Sequence, residues 1–316
     1  MTLDARPAAP ERSGAVAYLF LTGTMLCWGA NAIIGRLAVG EISPMLLVTL
    51  RWLWVLPLLA IFARRDIARD RALLRRHWRY YAAMGAIGFT LFNALFYVAA
   101  HSTSAVNIGI IQGAMPMFVL FGAFLVHRTP VTGLQAAGAV VTMAGVVLVA
   151  SAGSLERILT LSFAEGDVLM VIAGALYSGY TVALRNRPPV SALAMFAALA
   201  GAAFASSLPL VAAEAALGTL VWPTPKGWVI VFLTAIFPSF IAQTFFIKGV
   251  EMIGPGRAGV FINLVPIFAA VMAVVILSEA FRFYHAAALA LVLGGIWLSE
   301  RGKPGAADGK GGRPSC

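Results

Sequence analysis

Long apolar runs recur from Ala15 almost to the end of the chain, separated by connectors of charge, proline and glycine. They divide the sequence into ten stretches, each near the ~20 residues a helix needs to cross a hydrocarbon layer. The pattern predicts spans at 15–36, 44–63, 80–100, 106–126, 133–152, 167–185, 191–213, 227–247, 257–277 and 285–300. Several connections are very short, such as HSTSA at 101–105 and HRTPVT at 127–132, so consecutive spans are expected to be antiparallel neighbours. The predicted fold is all-α and integral to a membrane.

The apolar pattern also repeats. NIGIIQGAMPMFVLF (107–121) and RAGVFINLVPIFAAV (257–271) each carry a proline at the same place, Pro116 and Pro266. A shift of about 150 residues also pairs Gly109 with Gly259, Phe118 with Phe268, Phe96 with Phe246 and Gly145 with Gly295. A shift of about 149 pairs WGANAIIGR (28–36) with YSGYTVALR (177–185). This predicts two five-helix repeats, 15–152 and 167–300, with a connector at 153–166 and tails at 1–14 and 301–316. Because five is odd, the second repeat enters the membrane from the opposite face, and the two are expected to be inverted copies. Exchange of conformation between inverted halves moves an opening from one side of a fixed site to the other, which is the architecture of a transporter.

Composition agrees with the membrane assignment: 60% of the 316 residues are hydrophobic and 11% charged, against roughly 25% charged in soluble domains. The net charge of +10 and the run RRDIARDRALLRRHWR at 64–79 raise nucleic acid as a partner. That run is a connector between spans, where positive charge sets topology and attracts anionic headgroups. Of the 23 Lys and Arg residues, Arg36, Arg157, Lys226 and Arg282 fall on one face, Arg51 falls within a span and the other eighteen fall on the opposite face. The positive-inside rule then places both termini and the 64–79 connector in the cytoplasm. The expected location is the plasma membrane, the inner membrane of a bacterium, with the bilayer and a small-molecule solute as partners and no nucleic acid. Arg6 and Arg12 precede a first span of about 22 residues with no small-residue cleavage pattern behind it, which reads as a retained helix. The C-terminal tail, rich in Gly, Lys and Pro, reads as disordered.

Polar and aromatic side chains deep in a bilayer are expected to face the bundle interior. The candidates for solute contact are Trp28 and Asn31 on the first span, Asn93 and Tyr97 on the third, Gln112 on the fourth, Tyr177 and Tyr180 on the sixth, Gln243 on the eighth and Asn263 on the ninth. Asn93 and Gln243 have a second reading as hydrogen-bond links between helices, and Trp28 and Tyr177 as packing aromatics. Pro116 and Pro266 are expected to bend their helices around a cavity and free backbone carbonyls. Arg51 has two readings: a carboxylate clamp or gate inside the bundle, or a side chain that satisfies helix ends or reaches out to the interface. Lys248 is placed at the end of the eighth span, and Glu279 is expected to cap the tenth span or pair with Arg282.

Three features resemble a known family: the CWGAN stretch at 27–31, the proline-bearing fourth and ninth spans, and LSEAFRFYHAAALALVLGGIWL at 277–298. The chain is similar in these to the drug/metabolite transporter superfamily, in its ten-helix EamA-like branch. The resemblance implies a central cavity lined mainly by helices 1, 3, 4, 6, 8 and 9, in a branch whose members include exporters of amino acids and other metabolites.

The chemistry that is missing narrows the cargo. Cys27 and Cys316 lack metal-ligand spacing, and His77, His101, His127 and His285 sit at connectors or span ends, so no metal, cofactor or enzymatic role is expected. A phosphate carrier would concentrate basic groups at the centre, where only Arg51 is available. A small neutral or zwitterionic solute fits better, with larger apolar or aromatic amino acids as the leading reading of an exporter. Asp167, Glu214, Glu251 and Glu279 all fall at span ends, which predicts transport without obligatory ion coupling. A lipophilic drug or other metabolite is the alternative cargo, and a membrane-embedded enzyme acting on lipid the alternative class.

Overall fold

The computed structural model describes residues 11–302, apart from the side chains of 11–13 and 255–256. Most of the predicted tails, residues 1–10 and 303–316 with Cys316, lie outside the described residues. Every regular element among the described residues is a helix, and ten are long and apolar enough to cross a membrane. In chain order they are α1 (Gly14–Ala38), α2 (Pro44–Phe62), α3 (Trp78–Ala99), α4 (Ala105–His127), α5 (Gly133–Ala150), α6 (Glu165–Asn186), α7 (Ala192–Ala216), α8 (Pro225–Ile253), α9 (Arg257–Leu277) and α10 (Phe283–Arg301). Most ends fall within a few residues of the pattern-based spans. The largest difference is α8, which runs six residues past the predicted end and stops where Gly254 takes a φ of 83°. Lys248 therefore lies within this helix, exposed, with its ammonium 6.0 Å from the Phe20 ring.

Local chemistry starts these helices where they start. Ser104, Ser191 and Thr224 cap α4, α7 and α8 by accepting a backbone N–H three residues on. Thr132 and Gln135 form a reciprocal capping box at α5. Side-chain character then runs inside out relative to a soluble domain. Phe121, Val140, Val275 and Trp297 are exposed, while Thr24, Asn31, Asn93, Thr142 and Arg51 are buried. Lipid tails are as apolar as leucine, so close contact between small residues holds such a bundle together. Gly138 and Gly145 of α5 lie directly against the α10 backbone around Gly295 and Ala288, and Gly29 brings α1 onto α9 at Val265 and Ala269.

Irregularities recur about 150 residues apart. α3 widens into a π-turn at Ala86–Leu91, and α8 does so at Ala235–Ile241. α4 breaks at Ala114 and resumes with Pro116 in its first turn, and α9 breaks at Ile262–Asn263 and resumes just before Pro266. A proline offers no N–H to the preceding turn, so the interruption falls just N-terminal to it. α4 and α9 both end on a left-handed residue, Arg128 (φ 50°) and Ser278 (φ 54°).

The predicted 64–79 connector contains a helix, Arg64–Arg76, none of whose residues is buried. Asp70 ties it to α7 by accepting the Ser191 backbone N–H at 2.8 Å. That bond, and Arg69 beside it, hold the Asp70 carboxyl down to about 2. A lowered carboxylate contributes fully above its ordinary value of 3.8 and is lost as pH falls toward 2. Hydrogen exchange in the first turn of α7, corrected for intrinsic rates, should accelerate between pH 4 and 2, and at neutral pH in Asp70→Asn.

Candidate functional site

Arg51 lies seven residues into α2, about 10 Å along the axis from the helix start. It does not reach the interface. The residue is 3% exposed, which overturns the reading as a side chain extended to the membrane surface. Its Nε donates to Ser239 Oγ at 2.9 Å, and its Nη1 donates to Tyr97 OH at 2.7 Å and to Asn93 Oδ1. Tyr97 OH in turn donates to Asn31 Oδ1 at 2.9 Å. Four helices, α1, α2, α3 and α8, thus meet in one buried polar network. All its members lie in the half of the bundle nearer the 39–43 connection, except Ser239, which is midway along α8.

Both π-turns serve this network. Ser239 lies in the α8 π-turn, and its hydroxyl also donates to Thr234 O at 2.6 Å. Asn93 follows the α3 π-turn and donates to Phe89 O, which fixes its amide so that Oδ1 faces Arg51. Widened turns shift the helix register and re-aim the side chains around them.

An aromatic wall adjoins the network. The Arg51 guanidinium carbon is 5.0 Å from the Trp52 ring centroid, and Trp52 stacks on Phe89 at 5.0 Å. Phe89 meets Tyr180 at 5.8 Å, Tyr180 meets Tyr177 at 5.5 Å, and Tyr177 meets Phe92 at 5.0 Å. Gly88 allows this, because a Cβ there would enter the Tyr180 ring.

Of the candidate residues, Asn93 and Tyr97 are joined directly to Arg51, Asn31 is joined through the Tyr97 hydroxyl, and Tyr177 and Tyr180 follow through the aromatic wall. Trp28 stands apart, packed on Phe246 at 5.2 Å. Gln112, Gln243 and Asn263 are partly buried and make no side-chain hydrogen bond among the described residues, and Gln112 Oε1 is fully enclosed. The network side chains are all buried. Crevices of about 270 and 300 Å³ open elsewhere, one between α4, α5 and α6 beside Phe118 and Asp167, the other beside Tyr80 and His127.

Sequence reasoning placed Asp167, Glu214 and Glu279 at span ends but missed the partners they hold on the face with the 39–43, 100–104 and 278–282 connections. Glu279 neither caps α10 nor pairs with Arg282. It accepts the Ala105 and Val106 backbone N–H groups of α4 at 2.9 and 3.1 Å, with Arg36 at 4.0 Å. Glu214 does the same for α2, accepting from Ser43 Oγ at 2.6 Å and from the Met45 and Leu46 N–H groups at 3.2 and 3.3 Å. Asp167 accepts from Thr103 and Asn107. Each contact joins a residue before 152 to one after 164.

Comparison with known proteins identifies the family. The sequence pattern of the EamA-like transporter family fits the chain twice, over residues 15–151 and 164–301. The chain belongs to the EamA-like transporter family. It is 26% identical to the uncharacterized transporter YyaM of Bacillus subtilis over 287 residues, covering 89% of this chain and 93% of YyaM. It is 27% identical to an uncharacterized transporter of Archaeoglobus fulgidus over 288 residues, covering 89% and 96% of the two chains. A crystal structure described only as that of a protein shares the fold, with a TM-score of 0.61 at 24% identity over 90% of this chain and 96% of that one. This EamA-like chain is therefore a ten-helix integral membrane transporter, and its family points away from an enzyme.

Proposed function

We propose that this EamA-like transporter exports small neutral or zwitterionic metabolites, foremost amino acids with larger apolar or aromatic side chains. The carrying observation is the placement of the Arg51–Asn93–Tyr97–Asn31 network at one end of the Phe89–Tyr180–Tyr177 wall. Polar donors beside an apolar aromatic surface suit a solute with one polar end and one apolar end. The halves 15–152 and 167–300 act as inverted repeats that exchange conformations, giving alternating access. The acidic groups Asp167, Glu214 and Glu279 are engaged at helix ends, which supports cycling without obligatory ion coupling. A lipophilic cation is less well matched, since no carboxylate contacts the network or the wall among the described residues.

The test is counterflow in proteoliposomes at equal pH without sodium, using radiolabelled amino acids, a cationic drug and a nucleobase. Amino-acid exchange that stops when the solute gradient is gone is the expected result. Exchange of the drug alone would replace this cargo, and concentrative uptake driven by a pH or sodium gradient would establish coupling. Both termini and the Arg64–Arg76 helix are assigned to the cytoplasm of a bacterial inner membrane by the Lys/Arg asymmetry. A cysteine at Ala72 should therefore resist impermeant maleimide in intact cells and react once they are opened.

A further inference from the structure

Among the described residues, Arg51 is the one buried guanidinium or ammonium, and its three acceptors, Ser239, Asn93 and Tyr97, are all neutral. No carboxylate among the described residues lies within ion-pair distance of it. A buried cation ordinarily persists only beside an anion, because neutral acceptors do not repay its lost hydration. The hydrogen-bond count shows where an anion belongs. A guanidinium carries five N–H groups. Here Nε–H and Nη1 serve the three neutral acceptors, while Nη2 has no partner among the described residues. The acceptors hold the planar group at Nε and at Nη1, and the Trp52 ring lies 5.0 Å from its carbon, so its orientation is set by the protein.

We propose that Arg51 is the carboxylate subsite of the transporter and that the transported solute supplies its missing anion through Nη2. This rests on the transport reading above and adds the ligand class, a monocarboxylate. One buried cation balances one negative charge. A phosphomonoester would bring about two and leave one uncompensated in a low-dielectric interior. The amino group of an amino acid would face no buried carboxylate in the network, and the rings beside Arg51, those of Trp52 and Tyr97 at 5.0 and 5.8 Å from its guanidinium carbon, offer it π-faces instead.

The test uses exchange of labelled L-phenylalanine in proteoliposomes of the full chain, with unlabelled L-phenylalanine, L-phenylalaninamide and phenethylamine as competitors. The wild type should prefer the acid about 10- to 100-fold over both analogues, the range for a charge-assisted hydrogen-bonded pair. In Arg51→Gln, confirmed as folded by gel filtration, that preference should vanish, and Arg51→Lys should retain part of it. A wild type that accepts the amide as readily as the acid overturns the subsite through a measurement that needs no variant. An Arg51→Gln variant that slows all three equally makes Arg51 a gate and also overturns it. Both outcomes leave the transport reading standing. Exchange of neutral or cationic solutes with no exchange of the amino acid overturns both.

Discussion

Tyr97→Phe is expected to slow solute exchange at least about tenfold and to destabilise the folded protein, whereas Tyr180→Phe should do neither. The two substitutions remove the same atom from two buried rings, but the hydroxyls do different jobs. Tyr97 OH accepts from Arg51 Nη1 and donates to Asn31 Oδ1. Its loss leaves a charged donor and an amide oxygen, both buried, without that partner, at about 1–3 kcal/mol for each group left unsatisfied. Tyr180 touches the site through its ring, against Phe89 and Tyr177, and its hydroxyl makes no hydrogen bond among the described residues. The ring face is kept in the phenylalanine variant. Thermal melting in detergent and counterflow in liposomes should therefore separate the two variants on both axes. If they melt and transport alike, the hydroxyl link between α1, α2 and α3 carries nothing, and the site has to be sought along the aromatic wall alone.

The sequence exposes the architecture of this protein more readily than its site, for a physical reason. Hydrocarbon thickness sets a length, and each of the ten apolar runs meets it, so the helices are legible one at a time. Pro116 and Pro266 are legible too, since a missing N–H acts on its own helix. Arg51 is visible as a charge within an apolar run, but its environment depends on which face of α2 points inward. α2 is apolar on every side, so the pattern gives no phase. Its partners, Asn93, Tyr97 and Ser239, come from helices distant in sequence and are aimed by two π-turns. One of these, Ala86–Leu91, contains no proline to announce it, while the other holds Pro238. The carboxylates mislead in a related way. Glu214 and Glu279 lie at span ends, where a local partner is the natural expectation, yet both reach the first turn of a helix in the other half.

Those two glutamates give the second large effect. Replacing both with alanine is expected to open the face they close. Glu214 holds Ser43 and the first turn of α2, and Glu279 holds the first turn of α4. Both bind backbone N–H groups that a helix start leaves without an internal partner, and carboxylates are favoured there by the helix dipole. Because each bond crosses between halves, it strengthens the arrangement closed on this face and is lost when the halves part. Removing a cap costs about 0.5–2 kcal/mol. The two sites act on different helices, so their effects should roughly add. A shift of about 1–4 kcal/mol corresponds to a change of roughly fivefold to nearly a thousandfold in the ratio of open to closed forms. A cysteine at Ile42, which is buried in the α1–α2 connection, should report it in a protein with Cys27 and Cys316 changed to serine. Its labelling by an impermeant maleimide in detergent should accelerate about tenfold or more in Glu214→Ala/Glu279→Ala. The proposed alternating access adds a requirement that local fraying does not meet: as this face opens the other should close. A cysteine at His127, at the far end of α4, should therefore label more slowly in the same double variant. Faster labelling at both positions would mean that the glutamates hold the bundle together without biasing which side is open.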